Sequence, residues 1–338
     1  MKAAVVVGNC RLEIRDVPEP VLSNPTEIKI KVISGAVCNT TDNKVYATDT
    51  PEKSWPNHSF PFIIGHECVG RIVELGADVR DLKTGDKVVY WTTPGKAFAD
   101  YLILDTAKSA VVKIADSVAN DVAAIMEMVI GAARLLYAPG DPASGGPPAV
   151  PMIKEGDKVA VIGLGPAGLI YLRLARMLKA GTVCAIGRRE FRLGKARELG
   201  ADCVIDSDKP GYIESAIAAM GGNPDVIIDA TGSDIVKEMI ALGKSETKII
   251  AYGVPPFNWK EKGAELTAAG MNPPQGFGLP SAKIAARNCV KWVESGESGL
   301  EGVISHRLTL AETGRALDMC RLERDSTAKI VISINEDN

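Results

Sequence analysis

The sequence predicts an α/β protein in two parts, a β-rich body and a doubly wound parallel sheet. Three observations carry this. From Met1 to about Tyr137, short Val- and Ile-rich runs at 28–33, 68–74 and 87–91 are cut by Gly, Pro and Asp turns, which reads as strands with few helices. After Lys158, strand-like runs alternate with helical spacing, the order that builds a parallel sheet covered on both faces. Between them, residues 138–151 read APGDPASGGPPAVP, a stretch too rich in Pro, Gly and Ser for a regular ladder and expected as a loop or linker. At 338 residues the chain exceeds the usual size of one core, which agrees with two domains.

The second part resolves into elements in order. Strands are expected at 158–162, 182–186, 203–206, 226–229 and 248–251, with helices at 167–179 and 191–199 between the first three. The tail carries a helix at 285–294, a helical segment at 312–324 and a last strand at 328–333. Residues 254–280, with Phe257, Trp259, Met271 and Phe277, read as a second long loop over the cofactor or at a subunit contact.

Composition narrows the function classes. Lys and Arg number 39 against 42 Asp and Glu, a net charge of −3, so the basic excess of a nucleic-acid binder is missing. The longest nearly uncharged stretch, 159–172, is shorter than a bilayer span and is interrupted by Gly163, Gly165, Pro166 and Gly168, so no membrane helix is expected. The N-terminus turns charged too soon for a signal peptide, so a cytoplasmic location is expected. Seven cysteines without a CxxC or close cluster make a disulfide framework improbable and leave thiols or one metal ligand.

Gly163-Leu164-Gly165-Pro166-Ala167-Gly168 is a GxGxxG between a strand and a helix. In that context the first glycine makes a tight turn, the second lets backbone N–H groups approach a pyrophosphate, and the third lets helix and strand pack closely. The competing reading is a glycine-rich turn that binds no nucleotide. The next strand ends Gly187-Arg188-Arg189, without the carboxylate that accepts bonds from a free ribose 2′-hydroxyl. Guanidinium groups suit a 2′-phosphate, so NADP(H) is expected over NAD(H), with Arg192 and Lys195 adding charge one turn on. Against this, the arginines decorate a solvated helix start and Glu190 supplies the acid.

Residues 65–70, GHECVG, and 35–42, GAVCNTTD, resemble the catalytic-zinc segments of the zinc-dependent medium-chain dehydrogenase/reductase superfamily, the alcohol and polyol dehydrogenases. The turn GADVRDLKTGDKVV, the segment AFADYLIL, the ELGAD after the second strand of the glycine motif and the ending AKIVI extend the resemblance over nearly the whole chain. It implies a GroES-like β-rich catalytic domain from 1–152 and 286–338, and a Rossmann NADP(H)-binding domain at 153–285. It also implies Cys38 and His66 as zinc ligands, Glu67 and Glu127 as alternating ligands or holders of the metal's water, Thr40 as the proton-relay hydroxyl and Lys329 at the cofactor. A thiolate, an imidazole and a carboxylate are a usual set for zinc with an open position. Two carboxylates and a thiolate at once would blunt the ion's Lewis acidity, so one glutamate at a time is expected to bind. An unpaired Glu127 in an apolar run would be costly, which favours a role for it. Cys68 and His306 read as structural, the latter in a loop before the helix at Glu312.

Two departures stand out. No cysteine occurs from Val69 to Val183, and only Thr92-Thr93-Pro94 separates the strand ending at Trp91 from Gly95, so the structural-zinc lobe of many relatives is expected to be absent. Thr41 falls where relatives carry the Asp that orients the zinc-bound histidine, and Asn43 where some carry the histidine ending the relay; an amide cannot take up that proton. The segment 44–62, with Lys44, Tyr46, Trp55 and His58, is expected either to overhang the metal cleft, suiting a polyol, sugar derivative or other polar substrate, or to be a solvated loop. The resemblance implies a homodimer or homotetramer acting on a small alcohol or carbonyl with one catalytic zinc. A zinc-free quinone or enoyl reductase of the same superfamily and a catalytically silent NADPH-binding protein are the alternatives; metal analysis and turnover separate them.

Overall fold

The protein is described from a computed structural model, which describes residues 1–55, 58–91, 95–137, 151–252, 259–272 and 279–337. In chain order the first stretch holds β1 (Lys2–Gly8), β2 (Arg11–Asp16), β3 (Glu27–Ala36), α1 (Thr41–Tyr46), α2 (Pro51–Ser54), β4 (Phe62–Ile63), β5 (Glu67–Leu75), β6 (Lys87–Trp91), β7 (Tyr101–Asp105), β8 (Ala110–Lys113), α3 (Asn120–Ala124) and α4 (Met126–Ala133). There follow β9 (Lys158–Ile162), α5 (Pro166–Met177), β10 (Thr182–Gly187), α6 (Glu190–Glu198), β11 (Cys203–Asp206), α7 (Tyr212–Ala219), β12 (Val226–Asp229), α8 (Val236–Leu242), β13 (Lys248–Ala251), α9 (Trp259–Ala268) and α10 (Leu279–Glu294). The chain ends with β14 (Ile304–Thr309), α11 (Thr313–Leu322) and β15 (Lys329–Ser333). No helix among the described residues is long and apolar enough to cross a membrane.

The chain divides into two compact units. The first comprises Met1–Gly131, Ala286–Glu297 and Ile304–Asn338. Its larger sheet runs β14-β15-β3-β5-β6-β8, with β7 also paired to β3, and a small sheet runs β2-β1-β4. β3 is the hub, pairing with β5, β15 and β7, and its alternating Ile28, Ile30 and Val32 are fully buried against the core. Its Lys29 reaches polar surroundings by pairing with Glu19 and, at 3.7 Å, with Glu74. Tyr46, in the segment expected either to overhang the metal cleft or to be a solvated loop, packs in this core and donates its hydroxyl proton to the Cys10 carbonyl at 3.1 Å. The helix packs its apolar ring inward, and the phenol finds a backbone partner on the way.

The second unit comprises Ala132–Ala285 and Ser298–Val303. Its five strands are all parallel in the order β11-β10-β9-β12-β13, so the winding reverses between β9 and β12. In such sheets ligands bind beyond the carboxyl ends of the strands at the reversal. The expected strands at 158–162, 203–206, 226–229 and 248–251 coincide with β9, β11, β12 and β13; β9, β12 and β13 are buried Val/Ile runs, while β11, at the sheet edge, is half-buried.

Three expectations are corrected. The helix expected at 285–294 begins at Leu279, because Pro280 is tolerated in a first helical turn where no N–H partner is needed. His306 lies in strand β14, not in a loop, with its ring near the Ser305 hydroxyl at 3.0 Å. The expected loop at 254–280 contains helix α9 and the buried Met271, while 254–258 and 273–278, with Phe257 and Phe277, lie outside the described residues. Also outside them are Thr92-Thr93-Pro94 and residues 138–150 of the Pro/Gly stretch, whose last residue, Pro151, bridges to Tyr137.

Candidate metal centre and cofactor cradle

Strand register assembles the first site. Ala36, ending β3, lies opposite Glu67 on one side and Val331 on the other. Cys38 therefore falls just past the end of β3, His66 and Glu67 at the start of β5, and Lys329 at the start of β15, all at one end of one sheet. The ligand atoms of Cys38, His66 and Glu67 lie within 4.8 Å of one another.

Around this trio the structure places a carboxylate that the sequence reading missed. Asp42, in the first turn of α1 and fully buried, bonds through one oxygen to His66 Nδ1 at 2.9 Å and accepts the Cys38 N–H on the other at 2.8 Å. The Thr41 N–H donates to Cys38 Sγ at 3.4 Å. The carboxylate assigned to the place of Thr41 thus sits one residue later, at Asp42. The signal was present, since Asp42 stands four residues after Cys38, one helical turn on. Burial disfavours charge on His66, yet Asp42 and Cys38 outweigh it and hold the imidazole well above its usual value. Burial also opposes charge on Cys38, and His66 overcomes it, drawing the thiol below its usual value.

Glu67 and Lys329 form a buried ion pair at 2.6 Å, both essentially inaccessible to solvent, and the same ammonium donates to the Val37 carbonyl at 2.9 Å. Lys329, expected at the cofactor, is instead committed to Glu67 and the β3 end. Breaking such a pair from one side costs about 3–5 kcal/mol, because the remaining charge stays buried. The second oxygen of Glu67 has no protein partner. An orphaned buried carboxylate oxygen beside a thiol and an imidazole fits a zinc-type donor set, with the histidine oriented by Asp42. Glu127, buried in α4, stands outside the gathered trio; burial pushes its carboxyl up to about 7. Cys68 is core, its sulfur 3.4 Å from the Tyr90 hydroxyl, which donates to the His66 carbonyl. Thr40 is exposed and Thr41 half-buried.

The segment after α1 does reach this centre. Trp55 meets the His66 ring edge-on, with centroids 5.2 Å apart, and stacks on His58 at 4.7 Å. His58 in turn meets Phe62 edge-on at 4.9 Å. An aromatic wall therefore stands beside the trio.

In the second unit the glycine motif joins β9 to α5 at the reversal of strand order. Gly163 has φ +93°, and a Cβ on Gly168 would lie 1.8 Å from the Gly163 carbonyl oxygen, so neither position admits a side chain. Around Gly165 the Cβ direction is open for 4 Å, the space a phosphate needs above the N-terminus of α5, which begins at Pro166 and Ala167. A Cβ on Gly187 would lie 2.7 Å from Leu164, so β10 closes tightly on the turn. Beyond it Arg188 is exposed, and Arg189 precedes α6 at φ +73°, a strained backbone for a side-chain-bearing residue. Glu190, the acid that could serve a ribose, is paired with Arg197 at 2.7 Å.

Asp42→Asn keeps the shape of the side chain and removes the carboxylate behind His66. Zinc affinity is expected to fall about 10–100-fold in a chelator competition titration; an unchanged affinity would show that Asp42 does not orient the ligand.

Comparisons with known proteins agree with this geometry. Residues 24–116 match the family model described as alcohol dehydrogenase GroES-like domain, and residues 166–272 match the one described as zinc-binding dehydrogenase. The (R,R)-butanediol dehydrogenase of Bacillus subtilis (strain 168) is 28% identical over 296 residues, covering 79% of this chain and 80% of its own. The fold is shared with the alcohol dehydrogenase TADH from Thermus sp. ATN1, at a TM-score of 0.79 and 21% identity over 99% of this chain and 100% of that one. It is shared as well with galactitol-1-phosphate dehydrogenase from Escherichia coli, at a TM-score of 0.78 and 18% identity over 99% and 100%. With its GroES-like and Rossmann-type units, this chain belongs to the zinc-dependent medium-chain dehydrogenase/reductase superfamily of alcohol dehydrogenases.

Proposed function

We propose that this chain is an NADP(H)-dependent zinc dehydrogenase that interconverts a secondary alcohol and its ketone, with a polyol, sugar derivative or similarly polar compound as substrate. The observation that carries the reading is the convergence of Cys38, His66 and Glu67 on one buried point beside an aromatic wall. Zinc, when bound, supplies Lewis acidity that lowers a hydroxyl pKa, from about 15.7 to about 7 for water, and the nicotinamide supplies the hydride acceptor.

The chain's own residues do the rest. Cys38, His66 and Glu67 hold the metal, with Glu127 as the alternative carboxylate, and Asp42 keeps the histidine in one orientation. Lys329 offsets the charge of Glu67, leaving that carboxylate's free oxygen as a donor. Counted from Asp42 instead of from Cys38, the relay hydroxyl falls on Thr41 in place of Thr40. Trp55 and His58 present a flat apolar face with polar edges, which suits a compact substrate bearing several hydroxyls. The relatives named for butanediol and galactitol-1-phosphate agree with a small polar alcohol.

Gly163, Gly165, Pro166, Ala167 and Gly168 cradle the cofactor pyrophosphate at the start of α5, and Gly187 keeps the neighbouring strand end close. Arg188 and Arg189 take the 2′-phosphate, a reading supported by the engagement of Glu190 with Arg197. One catalytic zinc without a structural one, a cofactor domain at 153–285 set between 1–152 and 286–338, a homodimer or homotetramer, and a cytoplasmic location complete the proposal.

Metal quantification followed by a panel of polyols, sugars and ketones tests it. The expected result is one zinc per chain and a higher kcat/KM with NADP⁺ than with NAD⁺. Replacing Arg188 and Arg189 together by Ala should raise the KM for NADP⁺ by about 10²–10⁴-fold, since each charged hydrogen bond is worth about 1.5–3 kcal/mol, while leaving NAD⁺ nearly unaffected. Equal losses with both cofactors would remove the arginines from 2′-phosphate recognition. Thr41→Ala is expected to lower kcat by about 10²–10⁴ and Thr40→Ala to leave it close to wild type; the opposite order would restore Thr40 as the relay.

A further inference from the structure

Away from the metal centre, two cysteines face each other across the parallel sheet of the second unit. Cys184 in β10 and Cys203 at the start of β11 are register partners. Directly opposed residues of neighbouring strands project to the same face, with a strand spacing of about 4.8 Å. That spacing falls inside the Cα separation of about 4.4–6.8 Å that a disulfide spans. Both side chains pack in one apolar cluster with Ile186, Ile205 and Ile217. Both are free thiols, and the two side chains are hydrogen-bonded to each other.

The pair is asymmetric in access. Cys184 is buried, whereas Cys203 is half-buried on β11, the edge strand of the sheet. The thiol–thiol bond acts first on both groups, raising Cys184 and lowering Cys203, while burial and Asp202 oppose the lowering at Cys203. The more accessible sulfur is therefore also the one disposed to be thiolate.

We propose that Cys203 and Cys184 are a peroxide-sensitive dithiol that closes reversibly to a disulfide between β11 and β10. The Cys203 thiolate attacks one oxygen of hydrogen peroxide; the O–O bond breaks and the departing hydroxide takes a proton to leave as water. Cys203 is then a sulfenic acid. The Cys184 sulfur attacks it, the S–S bond forms, the S–O bond breaks, and the second water leaves with the Cys184 proton. The two thiols lose two electrons and two protons in all, and one peroxide is reduced to two waters. A small thiol reverses the reaction by exchange. The bond ties the edge strand to its neighbour three residues before Gly187.

The full-length, zinc-loaded protein treated with hydrogen peroxide, digested without reduction and mapped by mass spectrometry tests this. A peptide pair joined through Cys184 and Cys203, lighter by two hydrogens than the separate thiol peptides and separated by dithiothreitol, is expected. In Cys184→Ser, Cys203 should be trapped as a sulfenic acid by dimedone, and in Cys203→Ser, Cys184 should remain a thiol. Wild-type protein in which both stay reduced, in which Cys203 proceeds to sulfinic acid with Cys184 untouched, or in which the link forms only between chains would overturn the proposal.

Discussion

The metal centre depends on the register of β3 between β5 and β15. Because side chains alternate along a strand, a slip of one residue would turn every one of them to the other face. Only with Ala36 opposite both Glu67 and Val331 do Cys38, Glu67 and Lys329 arrive at the same end of the sheet. The buried Glu67–Lys329 pair reads as the lock on that register, since each member comes from a different neighbour of β3 and neither tolerates burial alone. The lysine also bonds to the Val37 carbonyl, fastening the pair to the strand between them.

Charge at the centre follows from this assembly. Asp42, Cys38 and Glu67 supply negative charge, and Lys329 offsets part of it through its ion pair with Glu67. Asp42 has two tasks, fixing the ring of His66 and receiving the Cys38 N–H, so that one carboxylate places two of the three donors. The outcome is three gathered donors with one carboxylate oxygen, on Glu67, left without a protein partner.

What was legible in the sequence follows from how local the signal is. Buried strands such as β9, β12 and β13 announce themselves as short Val/Ile runs, and the cradle glycines carry their reason within six residues. Cys38, His66 and Glu67 were legible through flanking motifs, and the structure brings them together. Asp42 was missed because residues were counted along the chain, and the chain turns into α1 there, so that a carboxylate four residues on occupies the place expected three on. The partner of Lys329 lies 262 residues away, a pairing that no local pattern encodes. The core position of Tyr46 was not legible for a related reason: an aromatic residue with a polar tip suits a cleft and a core equally well until packing decides.

X-ray absorption at the zinc K-edge of the purified, zinc-loaded enzyme tests the central claim most directly, because it reads the donor atoms themselves. A first shell with one sulfur at about 2.3 Å and the remaining nitrogen and oxygen donors at about 2.0–2.2 Å is the predicted result. A shell without sulfur, or one dominated by several sulfurs, would contradict a centre built on Cys38, His66 and Glu67.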